Sequence, residues 1–168
     1  MVGPDVRLLD YVKVYDDTIT KDICGDLIDE FEKDWTSQIS TGSDSHMTVT
    51  KSGKLLYKKF TEIDFNLTPR WHREYGNILK PLMTEYVNRY YDDLGHPEHL
   101  RPKVFGFEPY RIKKYLPSKD GVSDRIDEHT DASNLGLCKR FLSLFWYLND
   151  VEDGGETHFT RANYYVTP

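Results

Sequence analysis

The sequence predicts a single α+β domain with helices in its N-terminal part and short strands in its C-terminal part. The chain has 168 residues, a length typical of one domain with one sizeable core. Residues 1–100 contain two apolar patterns of helical spacing, whereas residues 101–168 form short strand-like runs bounded by turn-forming residues. We therefore expect an N-terminal strand and supporting helices, packed outside a sandwich or barrel of strands that begins near residue 101.

The N-terminal part should open with a strand and a helix. Residues 6–15 are rich in β-branched and aromatic side chains, which favours a strand. Thr20 is suited to cap the following helix, because apolar residues recur at helical spacing after it. Residues 36–45 are polar and contain glycine and serine, which indicates a loop, and residues 54–65 should return as a strand.

A second helix is expected from Pro69 to the residues before Gly95. Proline is favoured at the first position of a helix, and glycine is a frequent stop signal. Pro81 falls inside this pattern, where it removes a backbone donor and crowds the preceding turn. We therefore expect the helix to kink or divide at Pro81.

The C-terminal part is expected to consist of strands. Apolar and polar positions alternate in residues 103–117, although Pro109 suggests an edge or a bulge. Residues 141–148 are apolar on both faces, which predicts a strand buried on both sides. Two short strands should follow the turn-rich residues 149–155.

Composition excludes several classes of protein. The net charge of -6 and the absence of a basic cluster argue against a nucleic-acid surface. The 2 cysteines lie far apart, so neither a disulfide framework nor a zinc cluster is indicated. No apolar run is long enough to cross a membrane. We expect a cytoplasmic protein whose partner is a small molecule, a peptide or a protein, and the oligomeric state stays open.

Histidine followed two residues later by a carboxylate is a pattern that can bind a metal. Chance alone gives about one such pair in a chain of this composition. The sequence has three, at His72–Glu74, His96–Glu98 and His129–Asp131. The first should lie on a helix, where such residues diverge, and the second in a proline-flanked connection. Residues i and i+2 of a strand share a face, so His129 and Asp131 could converge on a cation or could form an ordinary polar pair.

The residues around the third pair resemble a known family. From Tyr115 onward the order is tyrosine, His-x-Asp, Arg140, a buried strand, and then "YLNDVEDGGETHF" at 147–159. This order is similar to that of the iron(II)- and 2-oxoglutarate-dependent dioxygenases, in particular their prolyl 4-hydroxylase-like branch. The resemblance covers the C-terminal third of the chain. It implies a double-stranded β-helix, or jelly-roll, core with N-terminal supporting helices.

The resemblance also implies a site. His129 and Asp131 match the catalytic His-x-Asp that supplies two of three ligands to Fe(II). Tyr115, Ser143 and Tyr147 match positions that line the pocket of the co-substrate 2-oxoglutarate. Ascorbate is a further candidate cofactor. The implied reaction is hydroxylation of a prolyl residue in a peptide or protein, or of a related substrate.

One departure from the family pattern leaves alternatives open. The family's distal histidine and its basic 2-oxoglutarate anchor lie on strands beyond the position of Pro168, so we expect those strands to be missing here and 2-oxoglutarate to bind weakly. Thr157 matches a pocket-facing position, so His158 should point away. A catalytically inactive jelly-roll binding module and a different metalloenzyme on the same barrel are the alternatives. Residues 36–53 are expected to form a mobile lid or an ordinary surface connection.

Overall fold

A computed structural model describes residues 7–41, 47–49, 55–103, 105–117, 123–132 and 134–168. Over these ranges the chain combines three α-helices with antiparallel β-sheets, which confirms the α+β class. The helices are α1 (Lys21–Lys33), α2 (Pro69–Glu74) and α3 (Gly76–Asp93). The strands are β1 (Ile39–Thr41), β2 (Met47–Val49), β3 (Leu55–Asp64), β4 (Arg111–Lys114), β5 (Arg125–Ile126), β6 (Thr157–Phe159) and β7 (Tyr164–Val166).

Strand β3 organises the larger sheet, because every other strand of that sheet pairs with it and all the pairings are antiparallel. Thr61 of β3 pairs with Ser40 of β1 and also with Lys114 of β4, which places β1 and β4 on opposite edges. Strands β2 and β5 pair with the first half of β3. Strands β6 and β7 form a separate hairpin.

The hydrophobic core lies where the helices pack on one face of this sheet. Side chains alternate between the two faces of a strand, so Ile63 of β3 and its cross-strand partner Ile112 point to the same face. Ile63 and Trp71 of α2 are 0% exposed. The buried cluster consists of Leu27, Phe31, Ile63, Phe65, Trp71, Leu79 and Ile112. The opposite face of β3 is therefore the one that the helices leave uncovered.

The predicted helix boundaries are partly correct. Thr20 caps α1 as expected, since its hydroxyl accepts a hydrogen bond from the Ile23 amide at 3.3 Å. Pro69 is the first residue of α2, and Gly95 follows α3 with a positive φ of 65°. The division predicted at Pro81 is wrong. The helix is interrupted at Tyr75, between α2 and α3, and the Tyr75 ring packs there against the buried Trp71 ring. Helix α3 continues through Pro81.

The strand predicted at residues 6–15 is also wrong for the part that the structure describes. Leu8–Tyr11 forms a 3-10 helix, and the residues after it run along α3. Tyr90 donates a hydrogen bond to the Tyr11 carbonyl at 3.0 Å, and Tyr15 donates one to Asp93 at 2.6 Å. The aromatic side chains that suggested a strand thus pack on a helix.

The buried strand predicted at residues 141–148 is wrong, because these residues form a segment without regular secondary structure. It has no assigned strand partner among the described residues, and Phe141 and Phe145 remain 54% and 55% exposed. Trp146 and Leu148 pack against the core instead. One face of the segment is therefore covered and the other is largely open. Strands β6 and β7 confirm the two short strands predicted after it.

Two further predictions are limited by what the structure describes. Among the described residues of the strand predicted at 103–117, only those of β4 pair with another strand. The polar segment 36–53 contains β1 and β2 rather than a continuous loop, while residues 42–46 and 50–53 of the predicted lid lie outside the described residues. Within the described part, each helix is too short or too polar to reach across a bilayer.

Candidate functional site

The His-x-Asp pair lies on a turn just after β5, and not on a strand as the spacing argument assumed. Asp127 connects this turn to the central strand. The Tyr57 amide donates to the Asp127 carboxylate at 3.0 Å, and the Asp127 amide donates to the Tyr57 carbonyl at 2.9 Å. The position of His129 is therefore set by β3 through a residue only two positions away.

His129 and Asp131 face each other directly. The distance from His129 Nε2 to Asp131 Oδ1 is 3.4 Å, and the two side chains are 43% and 49% exposed. His129 Nδ1 lies 2.9 Å from the Asp127 carbonyl oxygen. A carbonyl oxygen can only accept, so Nδ1 carries the hydrogen in this contact. In a neutral imidazole, Nε2 then carries a lone pair that faces the Asp131 carboxylate. Because Nε2 and Oδ1 are both acceptors, their contact is favourable only with a proton or a metal cation between them.

The Asp131 carboxylate is held from its other side. Ser143 donates a hydrogen bond to Asp131 Oδ2, which leaves Oδ1 for the side that faces His129. Arg140 Nη1 donates to the Asp131 carbonyl at 2.8 Å. The same guanidinium binds both carboxylate oxygens of Glu108, at 2.5 and 2.6 Å. This bidentate contact holds the pKa of Glu108 below its ordinary value and fixes Arg140 against the turn.

Tyr147 contacts the C-terminal hairpin. Its hydroxyl lies 2.7 Å from the Thr157 hydroxyl, accepts from the Thr157 amide at 3.1 Å and donates to the Val166 carbonyl at 3.0 Å. Its ring meets Phe145 edge-on, with centroids 5.5 Å apart. The hydroxyl that would approach a co-substrate thus connects residues 141–148 to β6 and β7.

Tyr115 lies just after β4 on the sheet face opposite the helices. Its ring packs against Phe60, with centroids 5.5 Å apart, and Phe60 is 1% exposed. Desolvation raises the pKa of Tyr115 to about 12, and the carboxylates of Glu62 and Asp124 add to the shift. The hydroxyl therefore stays protonated and able to donate a hydrogen bond throughout the physiological pH range.

Direct contacts thus join three of the five predicted residues, His129, Asp131 and Ser143, whereas Tyr115 and Tyr147 contact other neighbours. Three further histidines among the described residues lie elsewhere. His72 is on the exposed face of α2, the His96 ring packs against Tyr91, and His158 stacks on Tyr165 at 4.0 Å on the side away from Thr157. The part of the chain that the structure describes holds no cluster of three or more metal-ligating side chains.

Sequence reasoning missed several residues near this site. Asp127 and Glu108 could not be found, because their partners are distant in sequence. The comparisons with family models, with curated proteins and with solved structures found no match to this chain.

Proposed function

We propose that the protein is an iron(II)- and 2-oxoglutarate-dependent oxygenase of the prolyl 4-hydroxylase-like type, acting on a prolyl residue of a peptide or protein or on a related substrate. The observation that supports this most directly is the pairing of His129 Nε2 with Asp131 Oδ1 at 3.4 Å. The Asp127 carbonyl orients the imidazole and Ser143 orients the carboxylate. Metal ligands commonly depend on such supporting hydrogen bonds.

The fold is compatible with a jelly-roll core. Helices cover one face of the antiparallel sheet, and the side chains of Phe60 and Tyr115 lie on the other face. In this proposal that second face is the inner wall of the jelly roll. The uncovered apolar side chains of Phe141 and Phe145 then line the interior.

In this proposal His129 and Asp131 hold the metal. Bound iron(II), together with 2-oxoglutarate and dioxygen, supplies the oxidising power to hydroxylate an unactivated C–H bond, while 2-oxoglutarate loses carbon dioxide to give succinate. Ser143 keeps the Asp131 carboxylate turned toward the metal side, and Arg140 keeps the turn in place. The Tyr115 hydroxyl is available as a hydrogen-bond donor, because its pKa lies far above neutrality.

Anaerobic titration with iron(II) in the presence of 2-oxoglutarate tests the metal assignment. His129→Ala should abolish binding because it removes one of the paired ligands. His72→Ala and His96→Ala are matched controls that remove an imidazole elsewhere, and both should bind as the parent chain does. Iron binding that is unchanged in His129→Ala would contradict the proposal.

Turnover separates the proposal from its alternatives. The proposed oxygenase converts 2-oxoglutarate to succinate only when oxygen is present, and a prolyl peptide should increase the rate. A protein that binds metal and 2-oxoglutarate but forms no succinate would be a binding module. Activity that persists without 2-oxoglutarate would identify a different metalloenzyme.

A further inference from the structure

A groove lies between the end of α1 and the start of α2. Asp34 and Ser37 line it on one side and residues 67–71 on the other, and its volume is about 440 Å³. This volume is within the range of pockets that bind small ligands or individual side chains of a partner. The residues that line this α1–α2 groove differ from those that contact His129 and Asp131, so its role does not depend on the proposed function.

Two large apolar side chains beside the groove are exposed. Trp35 is 75% exposed and lies in the sequence between the lining residues Asp34 and Ser37, and Leu67, which also lines the groove, is 64% exposed. Trp71, by contrast, is 0% exposed. Tryptophan is among the residues that contribute most to binding at protein interfaces. The exposed Trp35 and Leu67 therefore give the groove an apolar rim that is suited to a partner.

The surroundings of the groove are negatively charged. The guanidinium of Arg70 contacts three carboxylates, those of Glu30, Asp34 and Glu74. Residues 21–34 carry six carboxylates and two lysines, and α2 carries two arginines and one glutamate. Carboxylates thus outnumber cationic side chains by seven to four over these elements. A cationic ligand is favoured here, because like charges at an interface repel.

The effect of these carboxylates is evident at Tyr75, the residue between α2 and α3. Burial is the main cause of its raised pKa, and Glu30, Glu74 and Asp26 raise the pKa further, with a smaller opposing effect of Arg70. Arg70 therefore does not cancel the negative charge of its neighbours.

We propose that the α1–α2 groove binds a segment of a partner protein that carries lysine or arginine next to apolar residues. The cationic side chain is attracted by the carboxylates around Arg70, and the exposed ring of Trp35 offers a face for a cation–π contact. An apolar neighbour in the segment packs on Leu67. A second copy of this chain fits less well, because its own net charge is -6 and the two copies repel each other.

Three labelled hexapeptides test this assignment by fluorescence anisotropy. One alternates leucine with arginine, the second replaces arginine with glutamate, and the third replaces leucine with serine. The leucine–arginine peptide should bind most tightly, the serine–arginine peptide more weakly, and the leucine–glutamate peptide not measurably. Trp35→Ala and Leu67→Ala should each weaken the leucine–arginine peptide about tenfold. Glu74→Gln should weaken it by about threefold, as is usual for an exposed ion pair.

Matched substitutions elsewhere separate binding in the groove from general attraction to an acidic chain. Trp35→Ala and Leu67→Ala leave the net charge unchanged, and both side chains are exposed, so circular dichroism should show an intact fold. Leu100→Ala, at a residue that is 65% exposed, and Glu85→Gln, at an exposed position of α3, should not change the affinity.

The proposal is overturned if the leucine–arginine peptide does not bind, if the leucine–glutamate peptide binds equally well, or if neither Trp35→Ala nor Leu67→Ala weakens binding. It is also overturned if sedimentation shows a dimer of the parent chain that Trp35→Ala dissociates, because the occupant would then be a second copy.

Discussion

At the scale of single residues, the orientation of the His129 imidazole depends on a series of contacts that begins in β3. Tyr57 fixes Asp127 through two hydrogen bonds, and the Asp127 carbonyl then accepts a hydrogen bond from Nδ1 of the His129 imidazole. This contact hinders the ring flip that would exchange the positions of Nδ1 and Nε2. A partly exposed histidine would otherwise sample several rotamers, and ordering it would cost conformational entropy when a ligand binds.

The Ser143 hydroxyl is expected to matter for metal affinity. Ser143→Ala removes the donor to Asp131 Oδ2, so the carboxylate is free to rotate away from His129. If the pair binds metal, the variant should bind iron(II) or manganese(II) about ten- to a hundredfold more weakly, as is usual for the loss of a supporting contact. Isothermal titration calorimetry measures this change. Ser143→Thr retains the hydroxyl and should bind nearly as the parent does, and equal affinities of the alanine variant and the parent would contradict the assigned role.

The sequence was informative about this site only where its residues are local. His129 and Asp131 are two positions apart, and the family resemblance added Ser143, which the structure joins to Asp131. The pairing of Arg140 with Glu108 depends on how two distant segments pass each other, and no pattern in either segment indicates it. For Tyr147 the sequence identified the residue but not its contacts. The hydroxyl of Tyr147 bonds to the β6–β7 hairpin, whose position relative to Tyr147 depends on the tertiary fold.

At the scale of elements, one side-chain contact ties the end of α1 to the start of α2. Asp34 is the residue that follows α1, and its carboxylate accepts a hydrogen bond from the indole of Trp71 at 2.7 Å. Arg70 of α2 also contacts Glu30 of α1. The Trp71 bond is the main reason that the pKa of Asp34 lies below its ordinary value. Ser37, Thr36 and Arg70 contribute to the same shift.

Asp34→Asn should therefore lower the free energy of unfolding in a pH-dependent way. The indole still has an acceptor, but the charge assistance is lost, which costs about 1 kcal/mol at neutral pH. Because folding lowers the pKa of Asp34, the stabilisation is complete above the ordinary value of about 3.9 and is lost as pH falls through the folded-state pKa. Urea unfolding at several pH values should show parent and variant converging in acid.

The control for this experiment is Asp29→Asn, which removes an exposed carboxylate from α1 itself. It should leave the unfolding free energy nearly unchanged. A difference between parent and Asp34→Asn that persists at the same size at pH 2.5 would show that charge is not its cause.

Elements were predictable where local chemistry and tertiary packing agree. The cap at Thr20 and the proline that starts α2 act through neighbouring backbone groups, so the sequence alone identifies them. Residues 6–15 and 141–148 have side chains suited to strands, but strand formation needs a partner with free backbone groups. The first segment lies along α3, and the second packs only one face against the core.

At the scale of the whole molecule, the two faces of the sheet have different surroundings. Helices α1, α2 and α3 close one face around Ile63, whereas the other carries Lys58, Lys113 and Tyr115 above Phe60. The helix-packed core therefore lies on one side of β3 only.

Ile63→Val tests the role of the closed face. Ile63 is 0% exposed, so the removal of one methylene should lower the unfolding free energy by about 0.5–1.5 kcal/mol. For a chain of this length, such a loss corresponds to a decrease in melting temperature of roughly 2–4 °C per kcal/mol. Ile78→Val is the control, because Ile78 on α3 is 42% exposed and the same change there should have little effect. Equal losses from both substitutions would count against a core centred on β3.

The pairing of β3 with strands on both sides of it in the sequence also sets an order of assembly during synthesis. Strands β1 and β2 precede β3 closely, so their antiparallel contacts close short loops and can form as soon as β3 leaves the ribosome. Strands β4 and β5 follow only after both α2 and α3, so the other edge of β3 stays unpaired while those helices are translated. Docking of the helices against Ile63 can occur in that interval. The turn with His129 follows β5 directly, and the His129–Asp131 pair is therefore among the last parts of the sheet region to take shape.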